Sequence, residues 1–183
     1  MTSQILIETP RLLLKSITPV LIHSLFKEKS KEAIMRYFNI EEAGYAHLKE
    51  MHERGMETHR ISLFYFLLFD KETQECIGEC GFHTWNKTHH KADLFYSLRA
   101  DTYKQKGFMT EALKEVIAFG FTELQLHRQA ALVASWNIAS VKLLEHFKFT
   151  QEGILREDYI VNDIYEDSVS YSLLKQEWVR SSI

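Results

Sequence analysis

The chain has 183 residues, 45% hydrophobic and 13% aromatic, which suits one compact domain over residues 1–183 with a sizeable core. Lys and Arg number 22 against 25 for Asp and Glu, a formal net charge of −3, which argues against a general polyanion-binding surface and so against nucleic acid as a partner. The N-terminus lacks the charged-then-apolar signal pattern and no apolar run approaches a membrane span, so a cytoplasmic protein with no membrane partner is expected.

Residues 5–17 alternate imperfectly around Pro10 and read as a first strand with the proline near its start. Thr18 can cap the helix that follows, with Pro19 in its first position; residues 20–29 then carry Leu21, Leu25 and Phe26 on one side. A second helical region, 41–57, is polar and rich in Glu and His, and it stands where an acceptor pocket could be lined. Residues 61–69 form an apolar aromatic run suited to a buried strand, and 70–75 supply a polar turn. The third strand, 76–85, places Ile77, Glu79, Gly81, His83 and Trp85 on one face by simple alternation. The same alternation puts Cys76 and Cys80 together on the other face, as reduced thiols.

After a turn at 86–90 comes a fourth strand, 91–98, and then the stretch from Tyr103 to Ala112. It reads as a tight turn at Gly107 opening a helix, because Met109, Ala112, Leu113, Val116, Gly120 and Leu124 recur at helical spacing. A helix N-terminus leaves backbone N–H groups unpartnered and carries the positive end of the dipole, so this turn is a candidate pyrophosphate cradle. A plain strand-to-helix connection is the alternative, since neither the P-loop nor the three-glycine dinucleotide pattern is present. Residues 128–135 form a fifth strand, parallel to the fourth across the helix, and 137–147 a short helix facing inward through Val141, Leu144 and Phe147. Two long strands, 149–161 and 164–174, meet at an Asn162-Asp163 turn. The order gives a mixed α/β fold of seven strands and about four helices.

That order, with the run from Gln105 to Ala112 and the Asn137-Ile138-Ala139-Ser140 segment, resembles the acetyl-CoA motif of the GNAT N-acetyltransferases. Glu8-Thr9-Pro10-Arg11-Leu12-Leu13-Leu14, the segment from Phe149 to Arg156 and the ending from Tyr171 to Trp178 are similar to the RimJ/RimL-type ribosomal-protein N-terminal acetyltransferases. The resemblance covers nearly the whole chain. It implies a sheet splayed between its fourth and fifth strands, acetyl-CoA as acetyl donor in the gap, no metal, and a monomer or homodimer. Backbone groups at Tyr96, Ser97 and Leu98 would pair with the pantetheine arm. The N–H groups of Gln105, Lys106, Gly107, Phe108, Met109 and Thr110 would take the pyrophosphate, and Asn137 would bond the pantetheine. Asn137 equally suits a helix N-cap, Ser140 a bond back to its helix, and Leu98 ordinary core. Gln105 stands where the family's first glycine usually is, which permits the turn if its φ is negative. Lys148 stands where a left-handed glycine usually ends the later helix.

Acetyl transfer needs an unprotonated amine, a polarised carbonyl and a proton for the departing thiolate. The family's strand-borne Glu and helix-borne Tyr correspond here to Leu132 and Leu144, neither of which moves a proton. The RimL-like branch instead implies Ser140 as donor to the thiolate. Glu79, inside an apolar strand, is the choice for base, with His83 as its rival and an ion pair on a solvated sheet face as the bland reading. A RimL-like carboxylate after the Glu-Gly motif aligns with Tyr159, beside Glu157 and Asp158. The resemblance points first to a protein N-terminal amine as acceptor. Aminoglycosides, polyamines and amino-acid-like metabolites are alternatives on the same scaffold, as is a non-catalytic acetyl-CoA sensor. Glu41, Glu42, Glu50, Glu53 and Glu57 make the second helical region acidic, which suits either a cationic acceptor or a solvated face.

Overall fold

In the computed structural model, which describes residues 4–54 and 62–181, the stretch expected as one first strand is two: β1 (Leu6–Glu8) and β2 (Leu12–Ile17), paired antiparallel. Pro10 has no N–H for a ladder, and Thr9 closes a turn around it. The Thr9 backbone N–H donates to the Leu12 carbonyl at 2.9 Å, and the Leu12 N–H donates to the Thr9 hydroxyl at 2.9 Å. Helix α1 (Pro19–Glu28) starts as expected, with the Leu21 N–H donating to the Thr18 hydroxyl at 3.2 Å and Pro19 in the first turn. Helix α2 (Lys31–Phe38) was not anticipated. Ser30 caps it, Ile34 and Phe38 bury one face four residues apart, and Asn39 ends it in the left-handed region at φ 50°. Helix α3 (Glu42–Arg54) takes up the second helical region; Glu41 stands just before it and is not helical, and residues 55–57 lie outside the described residues.

Next come β3 (Ser62–Asp70), β4 (Cys76–Asn86), β5 (Lys91–Leu98), α4 (Phe108–Thr122), β6 (Arg128–Ala134), α5 (Ile138–His146), β7 (Thr150–Val161), β8 (Ile164–Leu174) and α6 (Lys175–Ser181). The strands form one sheet in the order β1-β2-β3-β4-β5-β6-β8-β7, antiparallel throughout except for β5 beside β6. The described residues thus hold eight strands and six α-helices against the expected seven and about four. Splitting of the first strand accounts for the extra strand, and α2 and α6 for the helices.

Helices α1 to α3 cover one face, closing a core of Ile22, Ile34, Phe38 and Leu48 on Tyr65, Leu67 and Phe69. Helix α4 covers the other, with Ala112, Leu113, Val116 and Ile117 against Phe64, Phe66, Leu68 and Phe82. Period-two alternation on β3 therefore serves two cores at once, which is why its sequence is apolar at nearly every position. On β4 the alternation breaks. Leu68 faces Gly78 but Phe69 faces Cys76, so a bulge turns Ile77 and Cys76 over relative to Glu79. Consequently Cys76 belongs to the α1–α3 core and Cys80 to the α4 core, both as buried free thiols rather than neighbours on one face. A second shift after His83, with Thr84 at φ 48°, carries Trp85 to an edge-on contact with Phe64 on the α4 side.

Candidate functional site

The sheet is joined at its centre by only three residue pairs: Lys91, Ala92 and Asp93 of β5 face Arg128, Gln129 and Ala130 of β6. Beyond them β5 stays with β4 as far as Leu98 opposite Gly78, while β6 stays with β8 as far as Ala134 opposite Ser168. Each strand follows the twist of its own half, so Leu94 to Leu98 and Ala131 to Ala134 part and leave facing backbone edges unladdered. A cavity of about 450 Å³ opens at the mouth of this gap. Its walls are Tyr96, Ser97 and Leu98, then Gln105, Gly107, Phe108, Met109 and Thr110, then Asn137 and Ser140. Three segments far apart in the sequence and expected to act together thus meet around one space, with Lys106 in the same loop.

The loop is built on two left-handed residues. Gly107 has φ 78° and stands at the N-cap of α4 without a side-chain cap, so the first-turn N–H groups of Phe108, Met109 and Thr110 have no intrahelical partners. Gln105 has φ 59°, not the negative value expected of it. A left-handed conformation costs a residue with Cβ about 1–2 kcal/mol, so contacts elsewhere must hold it. They come from the turn before β2. Arg11 donates from Nη1 to the Lys106 carbonyl at 2.8 Å and from Nε to Glu111 Oε2 at 2.7 Å, and its guanidinium lies 4.6 Å from the centre of the Phe108 ring. Glu111 Oε1 accepts from the Thr9 hydroxyl at 2.5 Å and the Arg11 backbone N–H at 2.8 Å. Burial raises the Glu111 pKa, but these donors outweigh it and hold the carboxyl below its ordinary range. Nothing local in the sequence signals this brace, whose partners are 95 to 102 residues apart.

On the opposite wall Asn137 is the N-cap of α5, its Oδ1 accepting from the Ser140 N–H at 3.2 Å. The Tyr96 hydroxyl reaches across to the Ser140 carbonyl at 3.5 Å, the outer limit of a hydrogen bond. Burial raises the Tyr96 pKa, and this contact offsets part of the rise. Leu132 is half exposed at the gap, whereas Leu144 is core, 1% exposed. Helix α5 does end in a left-handed residue: Lys148 takes φ 63°, and the Phe149 N–H donates to the Leu144 carbonyl at 3.0 Å, so a lysine performs the turn ascribed to glycine.

A second cavity, about 280 Å³, lies on the α1–α3 side between β3, β4 and β5 and helices α2 and α3. Apolar residues such as Phe38, Met51, Leu63 and Phe95 make most of its wall, with Glu79, His83, His47 and Arg99 as polar members. Glu79 accepts from Arg99 Nη2 at 2.8 Å, and both are mostly buried. Burial raises the neighbouring Tyr65 pKa, and Glu79 adds to the rise. A third space of about 240 Å³ lies beside both: it shares Tyr96, Asn137 and Ser140 with the first and His83 and Phe95 with the second. His83 therefore borders both the gap and the second cavity, its Nδ1 3.2 Å from the Thr84 hydroxyl and 3.9 Å from Asp93 Oδ2. Glu157, Asp158 and Tyr159 are elsewhere, at a bulge of β7, and line none of these spaces. Glu42, Glu50 and Glu53 lie on the outside of α3, paired with Lys31, Arg54 and Lys49, and Glu57 lies outside the described residues.

A family model described as an acetyltransferase (GNAT) domain matches residues 11–150. The chain is similar to the uncharacterized N-acetyltransferase p20 of Bacillus licheniformis, 38% identical over 113 residues, which are 62% of this chain and 63% of that protein. It is also 30% identical over 132 residues to the ribosomal protein uS5 alanine N-acetyltransferase of Escherichia coli (strain K12), covering 72% of this chain and 64% of that protein. The matched parts span a little under two thirds of both relatives. Among solved structures, mutant forms of the spermidine/spermine N-acetyltransferase SpeG from Vibrio cholerae superpose with a TM-score of 0.73 at 22% identity, covering 96% of this chain and all of that one, a likeness of fold.

Proposed function

We propose, from the premise that the chain belongs to the GNAT acetyltransferase family, that it works as a single domain moving an acetyl group from acetyl-CoA to a primary amine, and that this amine is the N-terminus of a protein or peptide. The observation that carries the reading is that the space beside Ser140 shares wall residues with both cavities, Tyr96, Asn137 and Ser140 with the one at the gap and His83 and Phe95 with the one behind Glu79. Spaces that share these walls suit a donor and an acceptor approaching from opposite faces of the sheet towards Ser140 and His83. The donor side fits acetyl-CoA chemically. The unladdered edge of β5 at Tyr96, Ser97 and Leu98 offers backbone donors and acceptors to the amide-containing pantetheine arm, and the open N-terminus of α4, with Gln105 to Thr110, offers N–H groups to a pyrophosphate. Asn137 spends its Oδ1 on the helix and keeps its amide N–H groups for the ligand.

In this scheme the neutral amine attacks the thioester carbonyl, the new N–C bond forms as the C–S bond breaks, and the departing thiolate takes a proton relayed through the Ser140 hydroxyl, which receives one from water as it gives its own. Backbone N–H groups of β5 polarise the carbonyl. Glu79, already paired with Arg99, keeps acceptor capacity for a hydrogen bond from the incoming amine, which makes it a holder of the amine more than a taker of its proton. That leaves His83, at the junction of the two spaces, to receive the proton. The acceptor assignment rests on charge. Among the described residues Glu79 is the one carboxylate lining the second cavity, and Arg99 already neutralises it. A site for a polycation needs several uncompensated carboxylates, whereas a single terminal amine followed by neutral backbone suits mostly apolar walls. The relative named for ribosomal protein uS5 alanine supports the same choice.

Release of free CoA, with mass spectrometry of products from a panel of peptides and polyamines, tests the proposal. Acetylated peptide N-termini are expected, with turnover lowered about a hundredfold in Ser140→Ala, in the range that positioned proton donors supply. Acetylation of polyamines alone overturns the acceptor. Binding of acetyl-CoA with no thiol released from any acceptor overturns catalysis in favour of a sensor.

A further inference from the structure

The turn that splits the first strand ends on the loop at the mouth of the gap. Four hydrogen bonds join them: Arg11 Nη1 to the Lys106 carbonyl at 2.8 Å, Arg11 Nε to Glu111 Oε2 at 2.7 Å, and the Arg11 N–H and Thr9 hydroxyl to Glu111 Oε1 at 2.8 and 2.5 Å. The Lys106 carbonyl lies between the two left-handed residues, Gln105 and Gly107, so the bond from Arg11 falls on the peptide whose orientation they set. Glu111 stands in the first turn of α4. A carboxylate there is favoured by the helix dipole for the same reason that a phosphate is, and left loose it competes with an anion for the open N–H groups. Thr9 and Arg11 draw it away from them and cancel its charge.

The geometry assigns Arg11 a positioning role in donor binding: by holding the Lys106 carbonyl and the Glu111 carboxylate at once, it fixes the loop with its N–H groups presented and keeps a competing negative charge off them. This rests on the reading of the 105–110 loop as the pyrophosphate site. The contribution is specific to the phosphate-bearing part of the donor. Acetyl-pantetheine, which lacks the pyrophosphate and nucleotide, is therefore the informative comparison.

The full chain is assayed with both donors as wild type, Arg11→Ala, Arg11→Lys, Glu111→Gln and the double variant Arg11→Ala/Glu111→Gln. Arg11→Ala is expected to raise the Kd and KM for acetyl-CoA about tenfold to a hundredfold, the range of one or two charge-assisted hydrogen bonds, while kcat at saturation and turnover of acetyl-pantetheine change far less. Adding Glu111→Gln recovers part of the lost affinity, since the unpaired carboxylate is then gone. Arg11→Lys keeps the charge but not the fork that reaches two acceptors, and falls between wild type and Arg11→Ala; it also serves if Arg11→Ala does not fold. Equal losses with the two donors, or unchanged acetyl-CoA affinity in a folded Arg11 variant, overturn the assignment. Gly107→Asp separates this from failure of the loop reading: if it abolishes acetyl-CoA binding while Arg11→Ala does not, only the brace is wrong, and if folded Gly107→Asp binds as wild type does, the loop is not the site.

Discussion

At Gly107 two physical requirements coincide. The residue sits at φ 78°, where a Cβ is strained, and it opens a helix whose first N–H groups face a cavity. Gly107→Asp adds both the strain and a negative charge beside those N–H groups. The neighbourhood itself has room, since a Cβ there meets only Arg11 Nη2 at 3.4 Å, and an acidic residue at an N-cap is favourable to a helix. The fold therefore survives with a loss of about 1–2 kcal/mol from the left-handed conformation. Acetyl-CoA affinity, by contrast, falls by orders of magnitude, because several charge-assisted hydrogen bonds of about 1.5–3 kcal/mol each are disturbed together. Isothermal titration alongside thermal melts checks this, and wild-type affinity in a folded variant would remove the cradle.

The position of that loop depends on how closely α4 lies against the sheet. Gly120, on the buried face of α4, permits the approach: a Cβ there would stand 2.5 Å from Gln129 Nε2 and 2.6 Å from the tip of Phe82. Neither neighbour yields easily. Gln129 is fully buried and donates from Nε2 to the Ile117 carbonyl at 2.9 Å, and Phe82 is among the fully buried side chains. Two effects of Gly120→Ala oppose each other. Helix propensity favours alanine by about 0.5–1 kcal/mol, whereas overpacking a close-packed core costs about 1–3 kcal/mol. Overpacking wins, so denaturant melts should show a net loss of stability; a net gain would mean that α4 can shift outward, and the loop with it.

For the molecule as a whole, the ladder at β5 and β6 is short, and one core under α4, with Phe82 and Leu94 from one half and Ala131, Val133 and Tyr171 from the other, joins the two halves of the sheet. In the second half, Arg128 of β6 reaches across β8 to Glu152 of β7, Nη1 donating to Oε1 at 2.7 Å with Nη2 on Oε2, and the Ser172 hydroxyl of β8 donates to Glu152 Oε1 at 2.7 Å. The Arg128 bond first, and then Ser172, hold the Glu152 carboxyl down at about 2 against an ordinary 4.5. A carboxylate with a lowered folded-state pKa contributes stability that is fully present above the unfolded value and is lost as pH falls towards the folded one. The stability difference between wild type and Glu152→Gln should thus be largest above about pH 4.5 and fade by about pH 2. The side chain is 39% exposed, so the effect is small and salt-sensitive. Urea melts across that range check it, and a difference that is flat with pH would count against the pairing.

What the chain dictates by itself is local or repeated: the two-residue period of the strands, the helical spacing after Gly107, Thr18 before Pro19, Asn137 ahead of Ser140, and the succession of motifs that marks the family. Such features rest on backbone sterics and on neighbours within one turn or one pleat, so they are legible without the fold. Ser30 ahead of Ile34 and Phe38 was of the same kind, and its helix was there to be read. What only the tertiary structure decided depends on residues distant in sequence. Whether Gln105 and Lys148 take left-handed backbone, which face Cys76 joins, how far β5 and β6 stay together, and that Arg11 holds Lys106 and Glu111 are set by bulges, sheet twist and contacts up to 100 residues apart. The energies involved are about 1–3 kcal/mol apiece, large enough to override a local preference and invisible to it.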